Sequence, residues 1–142
     1  MNKIRYSLED VKALVKKYED VKKTGAEMIH ELKELINARP EVIQLLEASD
    51  KKLSIRFFDL IFYIQLEINS SKIDSAIGSL RTYMDIPDDK PRFMENMEFT
   101  FDDGGNIQQK DELYILSPEV FPYYFISKLT DFILSQRIVI KP

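Results

Sequence analysis

The side chains that most often carry catalysis or bind metals are scarce in this sequence. The chain has no cysteine and a single histidine, His30. Three glutamates stand close to it on a predicted helix, at Glu27, Glu31 and Glu34. Carboxylates on a solvated helix face usually pair with neighbouring lysines. Because there is no thiol, no second imidazole and no glycine-rich strand-to-helix junction, we predict no catalytic residue, no bound metal and no cofactor.

One acidic, glycine-rich stretch, residues 102–106 (DDGGN), has the composition of a calcium loop. An EF-hand also needs a closing glutamate at its twelfth position, where this sequence has Leu113. Asp, Asn and Gly tolerate the backbone conformations that a tight hairpin requires. The stretch therefore predicts a turn between two strands.

Four residues with aromatic or charged side chains could line a pocket: Asp59, Tyr63, Arg81 and Tyr83. They share one parity on two neighbouring predicted strands, so they would project from the same face of a sheet. A buried carboxylate at Asp59 would need an ionic partner, and Arg81 is the obvious candidate. With a helix over the sheet, this set would form a ligand pocket. The alternative is that Asp59 lies at a sheet edge facing water, because carboxylates are seldom buried.

The most apolar segment, residues 54–69 (SIRFFDLIFYIQLEIN), predicts the central strand. Its even positions from Phe58 to Ile68 are all hydrophobic, which is the period of a strand with one buried face. The segment also fits helical spacing, but its β-branched and aromatic residues favour a strand. The predicted core consists of Phe58, Leu60, Phe62, Ile64, Leu66, Leu80, Met84, Phe99, Phe101, Phe125, Leu129 and Phe132.

A long helix is predicted before this strand. Residues 7–10 (SLED) form a capping-box pattern, and apolar residues then recur at alternating spacings of three and four through residue 36. Gly25 lies in this seam, so the helix either continues past it or breaks there, with Thr24 and Glu27 as a second capping box. We favour a continuous helix over residues 8–36, because the apolar phase is kept across the glycine.

A second, short helix is predicted over residues 40–48. Pro40 suits the first turn of a helix, and the apolar residues of this segment would form one face: Val42, Ile43, Leu45 and Leu46. This helix would pack back on the first one. Residues 1–50 are therefore predicted to form a helical hairpin.

The rest of the chain predicts a sheet and a closing helix. Residues 76–86 and 97–101 alternate in strand fashion, and a short fourth strand is expected around Ile107 or residues 113–116. Ser117 and Pro118 resemble the start of a helix over residues 117–137, although Pro122 could begin its regular part.

A final edge strand or a frayed end is expected after residue 137. The predicted fold is a single α+β domain over residues 1–142. It has an N-terminal helical hairpin, an antiparallel β-meander of three to four strands over residues 53–116, and a C-terminal helix packed on the sheet.

Size and charge limit the classes of function. A chain of 142 residues with a net charge of −4 fits one domain with its own core. Residues 54–142 carry 14 acidic and 9 basic side chains, which argues against binding of nucleic acid through the sheet. Residues 85–112 hold 9 carboxylates against 3 basic residues, which indicates either a surface for a basic partner or a solvated rim.

The sequence also bears on the compartment. No apolar run is long enough to span a bilayer, and the first residues lack the apolar core of a signal peptide. Together with the absence of cysteine, this favours a cytoplasmic protein without membrane contact.

The predicted first helix is longer than the elements available to cover it, since it would measure about 43 Å at 1.5 Å per residue. The seam residues expected to stay uncovered are Val11, Leu14, Tyr18 and Val21. An exposed apolar row usually marks an interface, and pairing with a second copy is the commonest cover. We predict a homodimer, with the docking of a different protein as the alternative.

These patterns favour a non-catalytic protein-interaction module of an adaptor, chaperone-like or immunity type. Such a module would use the helical seam and an acidic sheet face to bind its partner. The alternative function is a small-ligand-binding or hydrolytic domain that uses the four-residue pocket.

Overall fold

In the computed structural model, which describes residues 4–109, 112 and 115–136, an antiparallel sheet carries helices on one of its faces. The elements of this described part are α1 (Leu8–Ala38), β1 (Gln44–Ala48), β2 (Lys52–Phe57), β3 (Leu60–Lys72), β4 (Ser75–Met84), β5 (Arg92–Phe93), a 3-10 turn (Glu95–Met97), β6 (Phe99–Phe101), β7 (Ile107–Gln109) and α2 (Phe121–Leu134). The strand order is β1-β2-β3-β4-β6-β7, and β5 also pairs with β4. The α+β class and the antiparallel sheet are confirmed, with more strands than predicted. Within the described residues, neither helix has the length and apolar character needed to cross a bilayer.

The first helix begins with the predicted cap. Ser7 Oγ accepts a hydrogen bond from the Asp10 backbone N–H, and the Asp10 carboxylate accepts one from the Ser7 backbone N–H, both at 3.1 Å. The helix runs without a break through Gly25 to Ala38, which confirms the continuous alternative. It ends just before Pro40, because the residue that precedes a proline avoids the α region.

Two glycines let α1 approach the sheet closely. A Cβ added at Gly25 of α1 would lie 2.5 Å from Leu66 Cδ1, and one at Gly78 of β4 would overlap the Phe101 ring. Val21 of α1 packs against Gly78 and is fully buried. The glycine in the helical seam thus serves a close crossing of helix and sheet.

The predicted second helix is wrong, and the described residues form no helical hairpin. Residues 44–48 are the edge strand β1, which pairs with β2 so that Leu45 stands opposite Ile55. A nine-residue helix has little stability of its own in water. Strand pairing satisfies the same backbone groups and keeps Ile43 buried and Leu45 packed against the core.

The predicted central strand is a hairpin in the structure. β2 ends at Phe57 and β3 begins at Leu60, with Phe58 and Asp59 in a turn at φ of 50° and 63°. Two consecutive residues with positive φ make a type I′ turn, which matches the twist of the strands that it joins. Because Phe57 pairs with Leu60, the buried positions change from odd numbers in β2 to even numbers in β3.

This turn corrects the predicted core. Phe58 is 56% exposed, and β2 supplies buried residues that the prediction left out: Leu53, Ile55 and Phe57. Seven predicted core residues are buried, namely Phe62, Ile64, Leu80, Phe99, Phe101, Phe125 and Leu129. Four more are partly buried and pack against them, namely Leu60, Leu66, Met84 and Phe132.

The later elements follow the predicted order. β4 and β6 correspond to the next two predicted strands, and residues 102–106 form the predicted turn, in which Asp102 Oδ1 accepts hydrogen bonds from the backbone N–H groups of Gly104 and Asn106. α2 begins at Phe121, with Pro122 in its first turn, so it is shorter than the predicted helix over 117–137. The predicted edge strand after residue 137 and part of the alternative strand at 113–116 lie outside the described residues.

Phe58→Asn is expected to stabilise the protein by about 0.5–1 kcal/mol. A bulky side chain is strained at a φ of 50°, whereas asparagine is favoured in type I′ turns. The substitution also removes an edge-on ring contact with Phe57, at 4.7 Å between centroids, which limits the gain. Urea unfolding measures the effect against Phe58→Ala, which loses the ring and keeps the strained backbone. A midpoint for Phe58→Asn no higher than that of Phe58→Ala would contradict the expected relief of strain.

Candidate protein-interaction site

The first part of α1 extends beyond the end of the sheet. Lys17 Nζ donates a hydrogen bond to the backbone carbonyl of Asp74, in the turn that joins β3 to β4. The first buried residue of the helix is Val21. Residues 8–16 precede both of these contacts, and none of them is buried.

Four apolar side chains form a row along this extension, and we call them the free stripe: Leu8, Val11, Val15 and Tyr18. Their spacing of three, four and three residues places them on one face of the helix. Their exposed fractions are 86%, 43%, 53% and 41%. Leu14 lies beside the row and is half-buried. The free stripe is therefore an apolar helix face without cover in the described part of the chain.

The free stripe overlaps the predicted interface but differs from it. Val11 and Tyr18 belong to both, whereas Val21 has no exposed surface and is unavailable to a partner. Leu8 and Val15 were missed, although their heptad-like spacing from Val11 and Tyr18 is visible in the sequence. What the sequence does not show is the point at which the helix meets the sheet, and that point decides which residues stay exposed.

Charges along this extension are segregated. Glu9 and Asp10 lie in the first turn of α1, where negative charge also favours the helix dipole. Lys12, Lys16 and Lys17 follow in the next two turns. Within residues 8–18 the negative charges that surround the free stripe thus come first and the positive charges follow, so the electrostatic field there favours one orientation of a charged partner over the other.

The structure separates the four predicted pocket residues. Tyr63 and Tyr83 stand opposite each other on β3 and β4, and Arg81 stands opposite Gln65. Asp59 lies in the turn before β3, about 20 Å from Gln65 at 3.3 Å per residue. Asp59 is exposed, as in the alternative in which it faces water, and it lies too far from Arg81 for an ion pair.

Among the described elements, neither helix covers the three residues that remain together. The neighbouring even position on β3, Phe62, packs against Phe132 of α2. Since successive side chains of a strand point to opposite faces, Tyr63 projects from the face that carries no helix. Within the described part of the chain, the four residues do not form one pocket beneath the closing helix, and Tyr63 and Tyr83 instead line an open depression on the outer face.

Arg81 already has partners on this outer face. Its Nε lies 2.6 Å from Glu98 Oε2 and 3.4 Å from Glu67 Oε2, and its guanidinium lies 5.0 Å from the centroid of the Phe93 ring. The hydrogen bond to Glu98 raises the pKa of Arg81 above its ordinary value. The guanidinium is thus committed to contacts within the chain.

The tyrosines are held in a similar way. The Tyr63 hydroxyl donates to Asp85 Oδ1 at 3.2 Å, and the Tyr83 hydroxyl donates to Glu67 Oε2 at 3.4 Å. Desolvation raises the pKa of Tyr63, and the hydrogen bond to Asp85 raises it further. Tyr83 and Arg81 thus share Glu67 as a partner, and Tyr63 makes a separate contact with Asp85 on the same outer face.

The acidic residues between 85 and 112 do not form one surface. Asp85, Asp88 and Asp89 lie at or after the end of β4, whereas Asp102 and Asp103 lie beyond Phe101, which pairs with Gly78 near the beginning of β4. The two groups are roughly 20 Å apart along the strand. Five of these acidic residues are therefore divided between opposite ends of the sheet, and Glu98, which lies between them, is paired with Arg81.

In the described ranges, no three His, Cys, Asp or Glu side chains come together as metal ligands would. Comparisons of the chain with protein-family models, with curated proteins and with solved structures find no significant match. Function has to be inferred from the surface chemistry of this chain.

Proposed function

We propose that this protein is a non-catalytic protein-interaction module that binds its partner through the free stripe. One observation carries the proposal: α1 extends about two and a half turns beyond the sheet, over residues 8–16, and presents an apolar row to solvent. An apolar row exposed on a helix is typical of an interaction surface. A partner would cover this row by binding the helix in an apolar groove.

Adaptor, chaperone-like and immunity-type proteins all fit this proposal, because each acts by binding and needs no reacting group. The acidic side chains of the sheet have no part in it, because five of them lie at opposite ends of the sheet and Glu67 and Glu98 are paired with Arg81. The free stripe alone is the proposed contact surface.

The alternative of a small-ligand-binding or hydrolytic domain has less support. Its proposed residues lie on an open sheet face, where Arg81 is paired with Glu98 and Glu67. A pocket that binds small molecules is usually concave and mostly apolar, with a few polar groups free to meet the ligand. Tyr63 and Tyr83 do line a depression on this outer face, together with Lys52, Gln65, Lys90 and Pro91. Neither Asp59 nor Arg81 is part of its lining, so the predicted set does not form one site.

Val15→Asp tests the proposed function. A carboxylate in the middle of the row would lose its hydration at the interface without gaining a partner, so we expect recovery of the bound protein to fall at least tenfold. Because Val15 is 53% exposed, its replacement should change the free energy of unfolding by less than about 1 kcal/mol. The measurement is affinity purification from the native host with quantitative mass spectrometry, in which an untagged copy of the chain also counts as a partner.

Tyr123→Asp is the matched control. Tyr123 is a 67% exposed helical residue on α2, so the variant adds the same charge away from the free stripe. It should leave the recovered proteins unchanged. The proposal would be contradicted if the parent, Val15→Asp and Tyr123→Asp all recovered the same amount of bound partner. It would also be contradicted if both variants lost the partner to the same extent.

A further inference from the structure

We propose that the partner on the free stripe is a second copy of this chain, bound in the antiparallel direction through the same stripe. This inference rests on the proposed function and names the partner. It depends on the chemistry of the two flanks of the stripe, on the order of charges along the helix and on the area available for burial.

The two flanks of the free stripe differ. One flank carries Lys12 and Glu19, each directly after a stripe residue, and the other carries Leu14. In an antiparallel pair of helices each flank meets its own counterpart, so Leu14 of one copy contacts Leu14 of the other. In a parallel pair the flanks are exchanged, and Leu14 would face the charged flank. The antiparallel direction therefore buries an additional apolar residue from each copy.

The order of charges favours the same direction. Full overlap of two antiparallel stripes sets Leu8 beside Tyr18 of the second copy. This register brings the acidic first turn of each helix to the level of Lys16 and Lys17 of the other helix. In a parallel pair, the acidic first turns of the two copies would lie side by side, and so would their lysines. Complementary charges steer and orient association, whereas like charges oppose it.

Exposed apolar side chains next to the stripe add to the area available for burial. Two exposed residues before the helix, Ile4 and Tyr6, adjoin the stripe in sequence and are 91% and 42% exposed. Together with the four stripe residues they give six exposed apolar side chains per copy, which contribute toward the ~800 Å² per partner of a standard interface. Leu14 and the aliphatic parts of the flanking lysines add to this area on pairing.

The absence of native cysteine allows a direct test of partner and direction with the full chain. Leu8→Cys and Tyr18→Cys are prepared separately, then oxidised alone and as a mixture. In the antiparallel pair two copies of Cys at position 8 are about 15 Å apart along the helix axis, too far for a disulfide. We therefore expect a strong cross-linked dimer in the mixture and little in either sample alone, with a light-scattering mass for the parent of twice 16.7 kDa at tens of micromolar.

Each other outcome overturns the inference. Cross-linking of each variant with itself would show a parallel pair, and a parent mass of 16.7 kDa with no cross-link in the mixture would show that no second copy binds. If the parent is monomeric, the affinity purification decides whether a different protein binds the free stripe. A host protein that is recovered with the parent and with Tyr123→Asp, but not with Val15→Asp, would leave the proposed function standing with that protein as the partner. Absence of such a protein would overturn both proposals.

An exchange of charges provides a second readout that does not depend on disulfide geometry. Glu9→Lys and Lys16→Glu, each alone, place like charges at the same level in the antiparallel pair and should raise the dimer dissociation constant roughly threefold. The double variant restores opposite charges and should return the constant to that of the parent in sedimentation experiments. Additive weakening in the double variant would contradict the antiparallel register.

Discussion

Phe62→Ala is expected to lower the free energy of unfolding by about 3–5 kcal/mol, because it removes a large side chain from a closed core. Phe62 has no exposed surface, and its ring meets Phe132 of α2 edge-on, with 6.3 Å between centroids. The cavity would lie between the sheet and the helix that covers it. Urea unfolding followed by circular dichroism measures the loss.

Phe58→Ala is the matched control, since both phenylalanines occupy even positions in the same apolar segment. Phe58 is 56% exposed, so its replacement should change the free energy of unfolding by less than about 1 kcal/mol. Similar losses at the two positions would show that the chain continues as one strand, and that the turn at Phe58 and Asp59 is misplaced.

Gly78→Ala is expected to destabilise the protein by about 2–3 kcal/mol, although it adds a single methyl group. The added Cβ would overlap the Phe101 ring and lie 2.7 Å from Val21 Cγ1. Both neighbours are buried, Val21 in α1 and Phe101 in β6, so relief of the overlap requires the helix or the strand to move. Thermal and urea unfolding both report the effect.

Gly104→Ala is the control for this prediction. Its added Cβ would meet only the ends of two side chains, Asp102 Oδ1 at 3.3 Å and Asn106 Nδ2 at 3.4 Å, in an exposed turn. The free energy of unfolding should change by less than about 1 kcal/mol. If Gly78→Ala is as mild as Gly104→Ala, α1 does not lie as close to β4 as described.

Much of the fold could be predicted because it depends on local patterns. The cap at Ser7 and the apolar period of α1 are local, and so is the alternation along β4 with Ala76, Gly78 and Leu80 buried. The turn at Phe58 and Asp59 was missed because neither residue has the Asn-Gly signature of a type I′ turn. Here the pairing of two long strands overrides the local preference of the turn residues.

Other features depend on contacts distant in sequence. Glu98 reaches Arg81 because β6 pairs with β4, and no spacing rule predicts that pairing. Residues 44–48 form the strand β1 because β2 provides backbone hydrogen-bonding partners for them. The apolar residues of this segment, taken alone, also fit a helix. The length of the uncovered helix could be anticipated from its excess over the sheet, but the contact of Lys17 with Asp74 decides where the uncovered part ends.

The most direct test of the proposed contact surface uses a photoreactive benzoyl-phenylalanine in place of Tyr18, incorporated in the native host. The same amino acid in place of Tyr123 of α2 is the comparison, because both tyrosines are exposed helical residues. Illumination is expected to give one dominant protein adduct at position 18, no such adduct at position 123, and loss of the adduct when Val15→Asp is added. Equal adducts at both positions, or an adduct at position 18 that persists in Val15→Asp, would contradict the account.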